Sequence, residues 1–592
     1  MGLSNRHTTR SVGLFGALLA GGAAVLWALS VPVDAEPSGQ AVVPGQGWNS
    51  SERHLYYYTS QGTFLMPAAW LASLETPDGT RFMGRSNLER FGFVFHDDAA
   101  ATRPYDWPIG IAIDTDPRNG GIDQAGLTCS ACHTGQLEYR GRKFRVDGGQ
   151  SNIDFRKFAV ELNAAVVATG DSPQRKAQFL ERVLDLGYPA DRLEPDFELA
   201  HANAVKQPDM SLQFLDGMTP AGRGRLDAVT SIANAVFAQA LAVPENIKPS
   251  TAPTSFPPLW DIWRFDWVQY NASARQPMAR NIVEVLGTGP ITIADPVTGE
   301  LLPEPERWRS NIRVRNIHTI EKTLHHLEPP RWDEDIFGPI DRERARQGRA
   351  LFAENCAACH GVKEIKGTSD PVEWHVPLVA LDRIGTDSRQ AVNFADNRFD
   401  AREIGGPVDM GVPEGLGLVL EQVKRQAYLD ENVTPEEAAE FDGFGKRDGG
   451  SAFAPCGYKA RPLVGIWATG PFLHNGAIPS IYDLLSETRP ERFLLGSREF
   501  DPEQLGQAQN PGEGVIEVDT SLPGNGNSGH WFTDETERAG RIGPALTEDE
   551  RYALIEYLKI ADYSDYPREV IEKPGPAACA GDRDWAVKWT GP

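Results

Sequence analysis

Apolar positions recur with helical spacing in several stretches of the chain, and turn-forming residues separate them. Phe155–Thr169 and Pro173–Leu186 both read as helices. Between Arg225 and Leu241, the residues Leu226, Val229, Ile232, Ala233, Val236 and Phe237 fall on one stripe, which predicts an amphipathic helix. A proline-rich segment from Pro244 to Pro258 breaks the pattern. It resumes over Asn311–Leu327, where Ile317, Ile320, Leu324 and Leu327 share a face, and Glu328-Pro329-Pro330 stops it. The next helix opens at Pro339 or Asp341 and runs into Cys356. Thr547-Glu548-Asp549-Glu550 is a capping box for a last helix, Asp549–Ile560, with Tyr552, Leu554, Ile555 and Leu558 on its apolar face. Gly45–Asp116 has a different texture, aromatic and rich in turns, with Tyr56-Tyr57-Tyr58, Phe91-Gly92-Phe93-Val94-Phe95 and Trp107.

The start of the chain reads as an export signal. Arg6 and Arg10 precede a charge-free apolar run, Ser11 to Val31, and Val33-Asp34-Ala35 resembles a cleavage site. The expected location is periplasmic or secreted. The run is long for a signal, so an uncleaved anchor is the alternative. Residues 1–35 are therefore set apart, with a boundary at Glu328-Pro329-Pro330 dividing the rest into 36–330 and 331–592. A net charge of −24 over 592 residues argues against a nucleic-acid partner.

Each half carries one Cys-x-x-Cys-His: Cys129-Ser130-Ala131-Cys132-His133 and Cys356-Ala357-Ala358-Cys359-His360. This pattern is the attachment signature of c-type haem, whose vinyl groups take the two thiols while the histidine binds iron. With six cysteines in the chain, one chance match is roughly a one-in-a-thousand event. A zinc site would need further ligands at short spacing, and none follows either motif. The cofactor expectation is two covalently bound haem c groups. The fold expectation is mainly α: two tandem cytochrome c-type haem domains with long loop-rich insertions. The remaining cysteines, Cys456 and Cys579, can pair in an oxidising compartment.

The sixth position on each iron decides the chemistry, because an iron saturated by protein carries electrons and an open one binds a small oxidant. The histidines available are His54, His96, His201, His318, His325, His326, His375, His474 and His530; the methionines are Met66, Met83, Met210, Met218, Met278 and Met410. His318 and His325 lie off the apolar stripe of their helix and read as solvated. His530 ends a loop nearly bare of side chains, Pro523-Gly524-Asn525-Gly526-Asn527-Ser528-Gly529, which can approach a porphyrin closely. It is the first choice for a distal ligand, and His474 is the second.

Arg461-Pro462-Leu463 with Pro471-Phe472-Leu473-His474-Asn475-Gly476 resembles a block of the bacterial di-haem cytochrome c peroxidase superfamily. Leu473 stands where typical members carry an axial methionine, and Val146-Asp147-Gly148-Gly149 replaces their usual run after the first haem. A closer resemblance is to the di-haem rubber oxygenase and fatty-acid dioxygenase branch. It rests on Asn87–Gly92, Tyr139–Arg142, Lys459–Thr469, Gly496–Phe500 and Gly529-His530. The resemblance implies O2 on the haem of His133 in a dry apolar pocket, a second haem held by His360 and His530, and a tryptophan between them. Of Trp260, Trp263 and Trp267, Trp260 is the choice.

The expected activity is an exported di-haem oxygenase that uses O2 on C=C bonds of an apolar substrate, polyisoprene or an unsaturated fatty acid, with His133 and Trp260 as the catalytic residues. The first alternative is a peroxidase that reduces H2O2 with electrons from a small donor protein. It requires an acid or amide near the first haem, with Glu161 and Gln150 as candidates. The second is a non-catalytic electron carrier, which requires both irons to be saturated.

Overall fold

The computed structural model describes residues 41–96, 105–115, 120–206, 217–289, 291–295, 298–368, 373–443, 452–566 and 568–571. The export signal, Met210 and Cys579 lie outside them. Cys456 is disulfide-bonded. Among the described residues, no helix is long and apolar enough to cross a membrane.

Five of the six helices legible in the sequence are present. They span Phe155–Gly170, Pro173–Asp185, Val314–Leu324, Arg342–Asn355 and Glu548–Ile560. Asp341 caps the helix that leads into Cys356, accepting from the Glu343 and Arg344 amides at 3.1 and 3.0 Å. The reciprocal Thr547–Glu550 box opens the last helix. These two helices cross at Gly348, where a Cβ would sit 1.8 Å from the Ala553 carbonyl oxygen. A Gly348→Ala variant gains about 1 kcal/mol in helix propensity but must separate the helices, at a cost of about 3 kcal/mol. Net destabilisation is expected, visible as a lower urea midpoint.

The mainly α expectation is wrong. Helix accounts for 40% and strand for 16%, the strands forming many small sheets. Their ladders are short, and several join distant segments: Met66-Pro67 pairs with Gln124-Ala125, and Leu378–Ala380 with Gly457–Lys459. Helical periodicity cannot register strands of two or three residues. Residues 225–241 also depart from a single helix. Arg225-Leu226 pairs as a strand with Thr254-Ser255. Asp227 then caps a short α-helix, Ala228–Asn234, which widens into a π-turn over Ala235–Ala240.

The expected tandem pair of haem domains is not what the packing shows. The largest apolar core draws on Trp48, Tyr56, Val146 and Trp260 as well as Phe352, Trp467, Phe532 and Tyr557. Residues from both sides of position 330 interdigitate in it, so the two motifs share one interior from Gly39 onward.

Candidate haem sites

Cys129–Cys132 form a single helical turn, and His133 follows at its end. The turn is pressed against Gly110, where a Cβ would lie 2.4 Å from the Ala131 backbone. The Tyr56 hydroxyl donates to the His133 carbonyl at 3.0 Å. Directly after His133 comes a hairpin, Thr134–Tyr139 with Arg142–Asp147. Its Arg140-Gly141 turn has both φ angles positive, 49° and 77°, as tight hairpins require. Alternating Leu137, Tyr139, Phe144 and Val146 were the signal for it.

His133, Cys129 and Cys132 line a cavity of about 240 Å3 walled mainly by apolar groups, among them Phe155, Val229, Phe256, Leu259, Leu324 and Phe394. Among its lining residues there is no methionine and no second histidine. Burial pushes the His133 imidazole down to about 4, against a pull upward from the Pro257 carbonyl and with a further push from Arg280. It is a neutral nitrogen donor at physiological pH, as metal binding requires.

One wall of the cavity is polar, which the sequence reading missed. Arg280 pairs with Glu321, Asn281 donates to the same carboxylate at 2.8 Å, and Gln269 donates to Glu284 at 2.7 Å. Burial raises the Glu284 carboxyl, with Arg280 opposing. Arg280 and Glu284 sit four apart on the helix Pro277–Leu286, and that spacing was the available sign. The earlier acid or amide candidates do other work: Glu161 binds Arg90, and Gln150 donates to the Gly224 carbonyl at 3.1 Å.

The second site is built differently. His360 Nδ1 faces the Arg461 carbonyl at 2.7 Å, which fixes the ring and leaves Nε2 to bind metal. Across from it stands His530, the ring centres 6.4 Å apart. Imidazole–metal bonds of about 2 Å place the ring centres of a ligand pair roughly 6 Å apart, so the spacing fits one iron between them. Burial depresses both imidazoles, and His530 falls to about 3. The His530 Nδ1 is buried without a partner among the described residues.

The glycine-rich loop reaches this position because side chains are missing where it touches its neighbours. A Cβ on Gly529 would lie 2.2 Å from the Gly385 carbonyl carbon. Arg489 clamps the same loop, donating to the carbonyls of Gly529 and His530 at 2.8 and 3.0 Å, with its guanidinium 3.7 Å above the Trp531 ring. Arg489→Ala is expected to free His530. Hydrogen bonds from a charged donor are worth about 1.5–3 kcal/mol each, so cyanide should bind the second haem of the variant and not that of the parent, as read in the optical spectrum.

His474 does not face His360. Its ring stacks on Tyr458 at 3.9 Å, with Nε2 buried and unpartnered among the described residues. The neighbouring Asn475 holds the His530 loop by donating to the Gly524 and Gly526 carbonyls, both at 2.9 Å. The other histidines are engaged elsewhere: His375 with Asp266, His318 with Glu440, His326 with Glu52 and His201 with Asp171. His325 is exposed and stacks on Trp263 at 4.5 Å. Among the described residues, no three His, Cys, Asp or Glu side chains gather as a separate metal site.

Trp260 is fully buried, with Nε1 donating to the Val464 carbonyl at 3.0 Å. Its neighbour Leu259 lines the His133 cavity. The Arg461 guanidinium donates to the Pro258 and Trp260 carbonyls at 2.6 and 2.9 Å. The Arg461 carbonyl faces His360. A short run of contacts thus joins the two sites through Trp260 and Arg461.

Residues 457–494, which contain Arg461, Trp467 and His474, match the family model described as RoxA-like, cytochrome c-like. The uncharacterized protein y4iJ of Sinorhizobium fredii (strain NBRC 101917 / NGR234) is 36% identical over 571 residues, covering 87% of this chain and 92% of that protein. The chain belongs to the y4iJ family. A second uncharacterized protein of that strain, y4iM, is 28% identical over 327 residues, 53% of this chain and 66% of its own length. The cytochrome c-like match implies haem c and, in general terms, a haem oxidoreductase.

Proposed function

We propose that this member of the y4iJ family is an exported, periplasmic or secreted di-haem oxygenase that uses O2 to oxidise or cleave C=C bonds of an apolar substrate, polyisoprene or an unsaturated fatty acid. The observation that carries the reading is the inequality of the two sites. His360 looks onto a second imidazole, whereas His133 looks into a cavity whose described lining offers no second imidazole or thioether. The RoxA-like segment agrees with an oxygenase.

Bound at His133, an iron porphyrin supplies the redox chemistry and the place where a small oxidant binds. The chain supplies everything else. Phe155, Phe256, Leu259 and Leu324 exclude water and favour an apolar substrate. Tyr56 and the Gly110 contact hold the His133 turn in place. His360 and His530 would hold the second haem between their imidazoles, and Trp260 with Arg461 joins the sites. No general acid is needed for this reaction.

One observation favours a second reading, H2O2 reduction with a small electron-donor protein. Glu284 is a half-buried acid on the cavity wall whose carboxyl desolvation keeps protonated to higher pH, and that carboxyl is where a proton for O–O cleavage would be held. Oxygen uptake by the purified protein with polyisoprene latex and with oleate separates the readings. Uptake that survives Glu284→Gln supports the oxygenase. No uptake, with H2O2 turnover that falls about 100-fold or more in Glu284→Gln, supports the peroxidase.

A further inference from the structure

The aromatic run Tyr56-Tyr57-Tyr58 and the Val146-Asp147 segment meet beside the His133 turn. Tyr56 and Tyr57 are fully buried. The Tyr57 carbonyl accepts from the hydroxyls of Thr128 and Ser130, the residues on either side of Cys129, at 3.3 and 3.1 Å. The Tyr56 phenol donates to the His133 carbonyl, and the two tyrosine rings lie 6.1 Å apart. Asp147 is placed by register: in the hairpin that follows His133 it stands opposite Thr134. Its side chain is fully buried, accepting the Tyr57 hydroxyl on one oxygen and Arg53 Nε, at 2.6 Å, on the other.

A buried phenol gives up an electron readily only if its proton leaves too, because the oxidised phenol is a far stronger acid. That requires a base already hydrogen-bonded to its oxygen. The oxidisable rings around Tyr56 differ in this respect. The Tyr56 phenol ends on the His133 carbonyl, and the Trp48 and Trp260 indoles end on those of Thr323 and Val464. A backbone carbonyl takes up no proton at physiological pH. Of these four rings only Tyr57 donates to a carboxylate. Desolvation, and then Asp147, holds its phenol well above the usual value, so the resting group is a protonated phenol on a charged acceptor. Moving the proton to Asp147 leaves the net charge on Arg53, which is only half-buried and so within reach of water.

We propose that Tyr57 is a redox-active tyrosine that returns an electron to the haem at His133 once a peroxide has oxidised it, with Asp147 as the proton acceptor. Cleavage of the peroxide O–O bond draws two electrons, one from the iron and one from Tyr57. The leaving oxygen departs as water with both peroxide protons, and the other oxygen stays with the iron. At Tyr57 the O–H bond breaks: the electron passes by way of Tyr56 to the haem, and the proton forms the Asp147 carboxyl. A neutral radical remains on the Tyr57 ring. In the absence of substrate, this draws the oxidising equivalent away from the thioether bonds and the apolar cavity wall. Tyr57 serves the haem at His133 under either reading of the activity, so its role rests on that haem and not on the substrate.

The test mixes the full-length, haem-loaded ferric protein with H2O2, without substrate, and freezes it for paramagnetic resonance. Haem content is measured first, so a failure of haem attachment is seen separately from a failure of Tyr57. The expected result is a tyrosyl radical whose signal narrows when the protein is made with ring-deuterated tyrosine. Tyr57→Phe removes the hydroxyl but keeps the ring, and should abolish that signal; Tyr58→Phe should keep it. Should Tyr57→Phe not accumulate, Asp147→Asn retains the phenol without its base, and the signal should likewise be lost. A tyrosyl signal of unchanged yield in Tyr57→Phe or in Asp147→Asn overturns the proposal. So does a radical on tryptophan in its place, or a parent haem that responds to H2O2 in the optical spectrum with no tyrosyl signal.

Discussion

A His530→Ala variant should keep both haems covalently attached and convert one of them from low spin to high spin. The thioether cysteines Cys356 and Cys359 and the proximal His360 are untouched by the change, so attachment survives. What is lost is the imidazole whose ring centre stands 6.4 Å from that of His360. No neighbour replaces it: Gly529 precedes it, the ring of the following Trp531 lies under the Arg489 guanidinium, and His530 itself sits at φ 50°. A non-glycine residue in that region costs about 1–2 kcal/mol, and the Arg489 clamp and the Gly529 contact over-determine it. His474→Ala is the control. Its ring stacks on Tyr458 at 3.9 Å, so this variant should leave the spin state of both haems unchanged. Optical and paramagnetic-resonance spectra of the three proteins check the outcome.

Arg461→Met should be the most destabilising single change near the sites. The guanidinium is buried and donates to the Pro258 and Trp260 carbonyls. Methionine fills similar volume but leaves both carbonyls without those donors, at about 1–3 kcal/mol each. A total near 4 kcal/mol is a large part of the 5–15 kcal/mol that holds an ordinary domain together. His360 keeps its acceptor, because that is the backbone carbonyl of residue 461. The second haem should therefore remain low spin while the urea midpoint falls and electron exchange between the haems slows. Arg461→Lys is not a rescue, since an ammonium cannot reach two carbonyls with a planar fork.

Local signals in the sequence were strong wherever the chemistry or the capping is local. The two Cys-x-x-Cys-His turns, the Thr547–Glu550 box and the helix that Asp341 starts are each contained within a few residues. The bare loop before His530 also carried its own sign, since glycines at 524, 526 and 529 leave room for backbone to approach. Contacts between distant segments were not legible. The bridges Glu138 to Glu499 and Phe265 to Trp374 join stretches with no common periodicity. The shared core that replaces two separate domains is built from such pairings. The helix Val412–Asp430 was missed for another reason: Leu418 and Leu429 are exposed, which blurs its apolar stripe. The polar wall of Arg280, Glu284 and Glu321 needed two helices to be placed side by side.

The proposed oxygenase requires two irons of unequal coordination. The direct measurement is the spectrum of the purified full-length protein, optical and paramagnetic, recorded with O2 present and after its removal. The expected result is one low-spin species that ignores O2 and one haem whose spectrum changes when O2 is withdrawn. Two low-spin haems, both indifferent to O2 and to added carbon monoxide in the reduced state, would contradict it.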